Sequence, residues 1–402
     1  MKILMVNKFL YPKGGAETYV FRLGESLQAL GHEVQYFGME HPDNIVGNRA
    51  GAYTKNLDFH NSPRLARLTY PFRIIYSAEA RKKIRRVLED FRPDVCHLNN
   101  FNYQLTPSIL LEIRKWEKQT GANCRIVYTA HDPQLVCPNH MCLNPLTHQV
   151  CEKCLRGSFW NCAGGKCIHG SRVRSILGSL EAIVWNRAGV YRQLDTIICC
   201  SHFIKGILDT NPLLAEKTVV LHNFIEIPKK RPAEKKDYVL YFGRYSIEKG
   251  IATLVEAARQ LPEIPFVFAG SGPLEHLPEG VPNIRNVGFL SGETLETTIR
   301  QARFTVIPSE WYENCPFSVL ESLTLGTPVL GADIGGIPEL ISSDMLFASG
   351  NREQLVEKLR ELWQNREDLT EYTGDCQNSR FDTAGTYAEK ILGHYLPHVM
   401  IQ

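Results

Sequence analysis

The sequence predicts an α/β protein made of two successive, doubly wound parallel-sheet domains. Three observations carry that prediction. The chain has 402 residues, enough for two or three domains with cores of their own. Short apolar runs bounded by turn residues alternate with segments whose apolar residues recur at helical spacing, the pattern of buried strands covered by helices. Near the middle, the polar stretch from Lys229 to Asp237, with two lysine pairs and Pro232, interrupts the alternation and reads as a linker. Composition agrees with a folded protein, at 44% hydrophobic and 22% charged residues. A formal net charge of +2 argues against a partner held by overall charge, and no nucleic acid is expected.

Lys2 to Asn7 reads as the first strand. One lysine before a short apolar run imitates a secretory leader, but the run lacks a small-residue cleavage site and leads straight into Gly14-Gly15. A helix follows from Ala16 to Leu30, with Tyr19, Leu23, Leu27 and Leu30 at helical spacing, and Gly31 stops it. Glu33 to Phe37 is the next strand. Ile84, Val87, Leu88 and Phe91 mark a helix that Pro93 ends. Val95 to Leu98, Arg125 to Thr129 and Thr196 to Cys200 are further strands. After the linker, Tyr238 to Phe242, Phe266 to Ala269, Phe304 to Ile307 and Pro328 to Leu330 read as strands. Ile251 to Gln260, Leu295 to Ala302, Val319 to Leu325, Gln354 to Trp363 and Thr386 to Leu396 read as helices. The expected domains are 1–228 and 237–384, with a C-terminal helix, 385–402, returning to the first. No stretch approaches the roughly 20 apolar residues of a spanning helix, so a cytoplasmic location is expected.

Open α/β sheets bind ligands at the carboxyl ends of their strands, which places the expected site in a cleft between the two domains. The residues after the second-domain strands suit a phosphate ester. In Pro308 to Glu321, Glu313 and Glu321 have seven residues between them. A strand–loop–helix with that spacing sets one carboxylate in the loop and one about a turn into the helix. The N–H groups of the first helical turn would meet a phosphate there, with the carboxylates taking hydroxyl donors on either side. In Phe242 to Gly250, Arg244 and Lys249 sit on a turn from which a guanidinium fork and an ammonium reach a diphosphate. The two cations can do the work of a divalent ion on a departing nucleotide diphosphate, and the chain has no Asp-x-Asp pair. No catalytic metal is therefore expected.

These residues resemble glycosyltransferase family 4, retaining enzymes of the GT-B fold. The resemblance rests on Gly14-Gly15-Ala16-Glu17, Thr129-Ala130-His131-Asp132, Phe242-Gly243-Arg244 with Glu248-Lys249-Gly250, Gly270-Ser271-Gly272-Pro273, the Glu313/Glu321 pair and Gly335-Gly336-Ile337-Pro338-Glu339. It implies a nucleotide-diphosphate sugar donor, such as a UDP- or GDP-sugar. By that likeness Glu321 holds the ribose hydroxyls, Arg244 and Lys249 hold the diphosphate, and Glu313 and His131 lie by the sugar, with the Asn314 to Ser318 backbone near Glu313. Gly14 and Gly15 form the first-domain loop facing donor and acceptor. No covalent nucleophile is assigned. Where many relatives have a glycine-rich loop after the first glutamate, this chain has Asn314-Cys315-Pro316-Phe317. Cys315 is either a reactive thiol at a helix N-terminus or a small filler side chain.

Six of the twelve cysteines fall between Cys137 and Cys167. Cys151-x2-Cys154 has the spacing of a metal knuckle. The 137–170 segment has little core of its own, and a metal would supply the missing stability. It resembles a Cys-rich insertion of capsule and exopolysaccharide glycosyltransferases. Structural zinc is expected on Cys137, Cys151, Cys154 and Cys167, with Cys162 as the rival ligand and Cys142 dispensable; an iron–sulfur cluster and unmetallated thiols are the alternatives. The other six, Cys96, Cys124, Cys199, Cys200, Cys315 and Cys376, read mostly as small apolar core residues.

Charge is uneven. Nine Lys/Arg face three acids from Arg64 to Arg92, and seven face one acid, Glu181, from Lys153 to Arg192. The second run contains Leu177, Leu180, Ile183, Val184 and Trp185 at helical spacing, so a basic amphipathic helix resting on anionic membrane is one reading and ordinary packing the other. The expected function is transfer of a sugar to a lipid-linked saccharide during surface polysaccharide synthesis, peripherally on the inner face of the plasma membrane. The rivals are transfer to a soluble small acceptor, and a nucleotide-sugar-binding protein without catalysis.

Overall fold

The computed structural model describes residues 1–56, 73–226, 233–365, 369, 372 and 381–396. Linker residues 229–232, Cys376, Arg64 and Arg67 therefore lie outside the described residues. The chain divides into two compact units. Unit 1 comprises Met1–Leu146, Cys151–His222 and Ala384–Gln402, and unit 2 comprises Thr147–Val150 and Asn223–Thr383.

Unit 1 is built on six parallel strands: β1 (Lys2–Val6), β2 (Glu33–Phe37), β3 (Val95–Leu98), β4 (Arg125–Ala130), β5 (Thr196–Cys199) and β6 (Thr218–Val220). Their order across the sheet is β2-β1-β3-β4-β5-β6. The strands are almost wholly buried because helices cover both faces, which is why they read as continuous apolar runs. Helix α1 (Gly15–Ala29) follows β1 and buries Tyr19, Val20, Leu23 and Leu27. Helix α2 (Ala78–Phe91) starts where the Ser77 hydroxyl accepts from the Ala80 N–H and stops at Arg92 in the left-handed conformation. Two of its five basic residues are paired: Arg81 and Arg85 bond Glu112, and Arg85 also bonds Glu89. Helix α3 (Trp160–Gly164) packs against α4 (Arg172–Arg187). The C-terminal helix, Ala384–Tyr395, packs on α1.

Helix α4 corrects one expectation. Its buried face is Ser175, Gly178, Ser179, Glu181, Ala182 and Trp185. Small residues let it seat closely: a Cβ on Gly178 would come within 2.3 Å of Ile168. Of the apolar residues read as a packing face, only Trp185 is buried; Leu177, Leu180 and Ile183 are half-buried and Val184 is exposed.

Unit 2 carries β7 (Val239–Arg244), β8 (Phe266–Ser271), β9 (Ile284–Gly288), β10 (Phe304–Ile307), β11 (Val329–Asp333) and β12 (Leu346–Ala348). All pairings are parallel, in the order β9-β8-β7-β10-β11-β12. Val239, Tyr241, Phe266, Phe268 and Phe304 pack beneath α5 (Ile251–Arg259) and α6 (Arg352–Gln364), whose Leu254, Leu355 and Leu359 complete the core. Each sheet reverses its winding once, between β1 and β3 in unit 1 and between β7 and β10 in unit 2. A crevice opens at such a reversal because the flanking connections leave in opposite directions. The residues that follow these four strands include the chemically distinctive ones.

Candidate active site

In unit 2, β7 ends in Arg244, and the turn after it carries Lys249. The β10 connection carries Glu313 and leads into the helix Phe317–Thr324. Because β7 and β10 are neighbours, their two connections meet: the Glu310 N–H donates to the Glu248 carbonyl at 2.9 Å. Lys249 Nζ lies 2.5 Å from Glu313 Oε1, which also accepts from Ser309 Oγ at 2.8 Å and Trp311 Nε1 at 3.0 Å. Burial works against ionising Glu313. The Lys249 charge and the three hydrogen bonds outweigh it and hold the carboxyl below its ordinary pKa. The Lys249 ammonium also sits 5.3 Å from the Trp311 ring centroid. The turn after β7 put Lys249 with the diphosphate, and the family likeness put Glu313 by the sugar; the structure brings the two into one partly buried ion pair.

Two glycines allow the chain to close around this pair. Gly335 has φ +62° and lies so near the Glu313 backbone that a Cβ would fall 2.2 Å from the Glu313 carbonyl oxygen. Its neighbour Gly336 donates its N–H to that oxygen at 2.7 Å. Gly272, at φ +154°, packs on the Tyr245 backbone, where a Cβ would sit 2.5 Å from the carbonyl oxygen. The Arg244 side chain is exposed and, among the described residues, has no protein partner. Glu321 lies on the helix beyond the loop and does not join the Lys249–Glu313 pair. Burial, aided by the charge of Glu296, raises its pKa to about 7. Asn314, Phe317 and Ser318 are half-buried around the helix start, with Pro316 buried as the residue before it. Cys315 is buried, its carbonyl accepts from Asn223 Nδ2 at 3.1 Å, and burial pushes its thiol up to about 12. It is therefore the small filler of the two readings, not an activated thiol.

In unit 1, Gly14 and Gly15 are exposed at the start of α1. His131 is the first residue beyond β4. Burial lowers its pKa to about 4, so the ring is neutral. Its Nε2 lies 2.8 Å from Asn99 Oδ1, and the Tyr19 ring meets it edge-to-face at 4.8 Å. Asp132, raised to about 6 by burial, accepts from the Gln134 N–H at 2.9 Å. Asn99, Lys8 and Glu17 join this group at the ends of β1 and β3. Burial raises Glu17, whose Oε1 accepts from Asn7 Nδ2 at 3.1 Å. None of these belonged to a motif read from the sequence except Glu17; an asparagine following a buried strand at a winding reversal is the signal that marks Asn99.

The expected zinc site is not formed. Among the described residues no group of three or more His, Cys, Asp or Glu side chains is placed to hold a metal ion. Cys137, Cys151, Cys154 and Cys167 therefore do not form the expected ligand set. The Cys137 thiol donates to Asn139 Oδ1 at 2.9 Å and the Cys154 thiol to the Phe159 carbonyl at 3.9 Å, so two of the four are engaged by oxygen acceptors. The neighbouring Cys142 lowers the Cys137 thiol, and Cys162 lowers that of Cys167 to about 7. Cys154 and Cys162 pack with Phe159 and Ala182 in a small apolar cluster.

Residues 13–228 match the family model for Glycosyltransferase Family 4, and residues 223–375 match that for Glycosyl transferases group 1. The chain belongs to glycosyltransferase family 4. It is 32% identical to an uncharacterized glycosyltransferase of Methanocaldococcus jannaschii over 86% of this chain and 84% of that one. It is 23% identical to O-antigen chain mannosyltransferase C of Escherichia coli, covering 98% of this chain and 97% of the relative. Among solved structures, Anabaena Alr3699/HepE in complex with UDP-glucose shares the fold, with a TM-score of 0.62 and 18% identity over 98% of this chain and 100% of that one. The family 4 chain is thus a GT-B glycosyltransferase, a transferase with a relative in O-antigen synthesis.

Proposed function

We propose that the chain transfers a sugar from a nucleotide-diphosphate sugar, with retention of anomeric configuration, to a lipid-linked saccharide in surface polysaccharide synthesis. The observation that carries the reading is the partly buried Lys249–Glu313 pair at the winding reversal of unit 2. On this reading Arg244 and Lys249 take up charge on the departing diphosphate. Glu313 holds the Lys249 ammonium in place and accepts from the sugar, and Glu321 accepts from the ribose hydroxyls. The Asn314–Ser318 segment and Gly272 give backbone against the phosphates. In unit 1, His131 binds the sugar's hydroxyls, and Gly14 and Gly15 leave the start of α1 clear of side chains. The donor complex of HepE supports a UDP-sugar, and the named activity of a GDP-mannose-dependent relative from Mycobacterium tuberculosis supports a GDP-sugar equally. A thermal-shift series with UDP, GDP and ADP tests the donor site, since a ligand bound only by the folded state raises apparent stability. Absence of any shift at millimolar nucleotide would overturn it.

The peripheral location rests on a separate surface. Trp160 is 55% and Val173 68% exposed, and Val173, Leu177, Leu180 and Val184 follow one another along the outer side of α4. Lys166, Arg172 and Arg174 are exposed around them. Apolar residues ringed by cations suit an anionic leaflet, here the inner face of the plasma membrane. Co-sedimentation with phosphatidylglycerol vesicles, lost for Trp160→Ser combined with Arg172→Glu, is the expected result. Failure of the wild-type chain to bind at low salt would remove this reading.

A further inference from the structure

Asn99 is fully buried and clamped on three sides. Its N–H donates to the Val6 carbonyl at 2.8 Å, at the end of β1. Its own carbonyl accepts from Gln134 Nε2 at 3.4 Å, and Gln134 is in turn 2.5 Å from the Tyr128 hydroxyl. The third contact is the side chain, whose Oδ1 faces His131 Nε2 at 2.8 Å. An amide oxygen only accepts, so the hydrogen lies on Nε2. Burial keeps the ring neutral, so that hydrogen is its only one, and Nδ1 is the accepting nitrogen.

This arrangement leaves Asn99 Nδ2 buried with no hydrogen-bond partner among the described residues. A buried donor without a partner destabilises a fold, and a side chain serving only to pack would avoid it. The opposite face of the imidazole is equally constrained. Tyr19 lies edge-on to it, with its hydroxyl 3.1 Å from Thr129 Oγ1 and 2.9 Å from the Tyr387 hydroxyl. The amide therefore sets the ring's proton, and the tyrosine sets its plane.

We propose that Asn99 is a positioning residue that holds the hydrogen of His131 on Nε2, and so fixes which ring nitrogen can accept from a sugar hydroxyl. This rests on the reading of His131 as the unit 1 residue that binds the sugar. The test uses the full chain labelled with ¹⁵N-histidine, with His131→Gln assigning the resonance. The expected wild-type signal is the Nε2–H tautomer, unprotonated at Nδ1, from pH 6 to 8. Asn99→Ala is expected to shift the ring toward Nδ1–H and lower kcat roughly 10- to 100-fold, with a smaller change in KM for the donor. Asn99→Asp keeps an acceptor of the same shape and is expected to keep the Nε2–H form and most of the activity. A wild-type ring in the Nδ1–H form overturns the proposal, as does an unchanged tautomer in Asn99→Ala. If the tautomer shifts as expected while His131→Gln still turns over normally, the positioning stands and the assignment of His131 to the sugar falls.

Discussion

The two winding reversals solve burial in opposite ways. In unit 1, burial dominates. It pushes His131 down to about 4 and His97 down to about 3, which leaves both rings neutral, and it raises Asp132 to about 6 against the opposing charge of Lys8. In unit 2, burial of Glu313 is overcome by Lys249, and both charges survive. Neutral rings and amides recognise hydroxyls through hydrogen-bond direction, whereas a retained ion pair beside an exposed arginine suits a phosphate charge that grows during bond breaking. On the proposed reading, the difference would divide the labour between the halves, one reading a sugar and the other managing a leaving group.

The most severe way to break that division is to remove the charge from unit 2. Lys249→Ala should lower kcat by roughly 10²- to 10³-fold, and Glu321→Ala should chiefly raise the donor KM. Both variants should melt cooperatively by calorimetry; near wild-type turnover in both would dissolve the contrast. Gly335→Ala comes next. Its Cβ collides with the Glu313 carbonyl, so the carboxylate must shift and activity should fall by roughly tenfold or more. A subtler effect is pH dependence of donor binding. Glu321, raised to about 7, must ionise to accept from two hydroxyls, so donor affinity should rise from pH 6 to 8. Glu321→Gln should flatten that rise in titration calorimetry. Glu181 sharpens the unit 1 side. Burial raises it to about 8, so the folded state holds a proton that the unfolded chain has lost above its ordinary pKa. Stability should therefore fall as pH climbs from about 5 toward 8, and Glu181→Gln should melt with a shallower pH slope. The smallest expected effect is that of a chelator, which should leave the melting temperature unchanged, since among the described residues no group of three or more ligand side chains is placed to hold a metal ion.

Much of the fold is local and was therefore legible. Apolar runs such as Ile3 to Val6 and Val239 to Phe242 declare buried strands by themselves. The spacing of Glu313 and Glu321 is also local, and they lie in the loop and the helix that it implied. What stayed hidden depends on distant partners. Nothing near Asn99 announces His131, 32 residues away. The bonding of Lys249 to Glu313 follows from strand order, which no short window contains. The zinc expectation rested on cysteine spacing, which reports which thiols are close, not whether they converge on one point. The packing alternative for α4 would seat its apolar residues, whereas the seated face is built largely from serine, glycine and alanine, whose merit is small size.

The C-terminal helix has a consequence for how this protein is made. Tyr387 bonds Tyr19, and the Tyr395 hydroxyl lies 2.6 Å from His97 Nδ1, whose other nitrogen lies 2.7 Å from Thr129 Oγ1. Besides Thr129, the fully buried Tyr19 hydroxyl and His97 ring thus have partners in residues translated after the whole of the second unit. A ribosome that has finished β6 has released a unit whose interior polar groups still need water. Unit 1 therefore matures last although it is synthesised first, and the floor beneath His131 closes when the final helix leaves the exit tunnel.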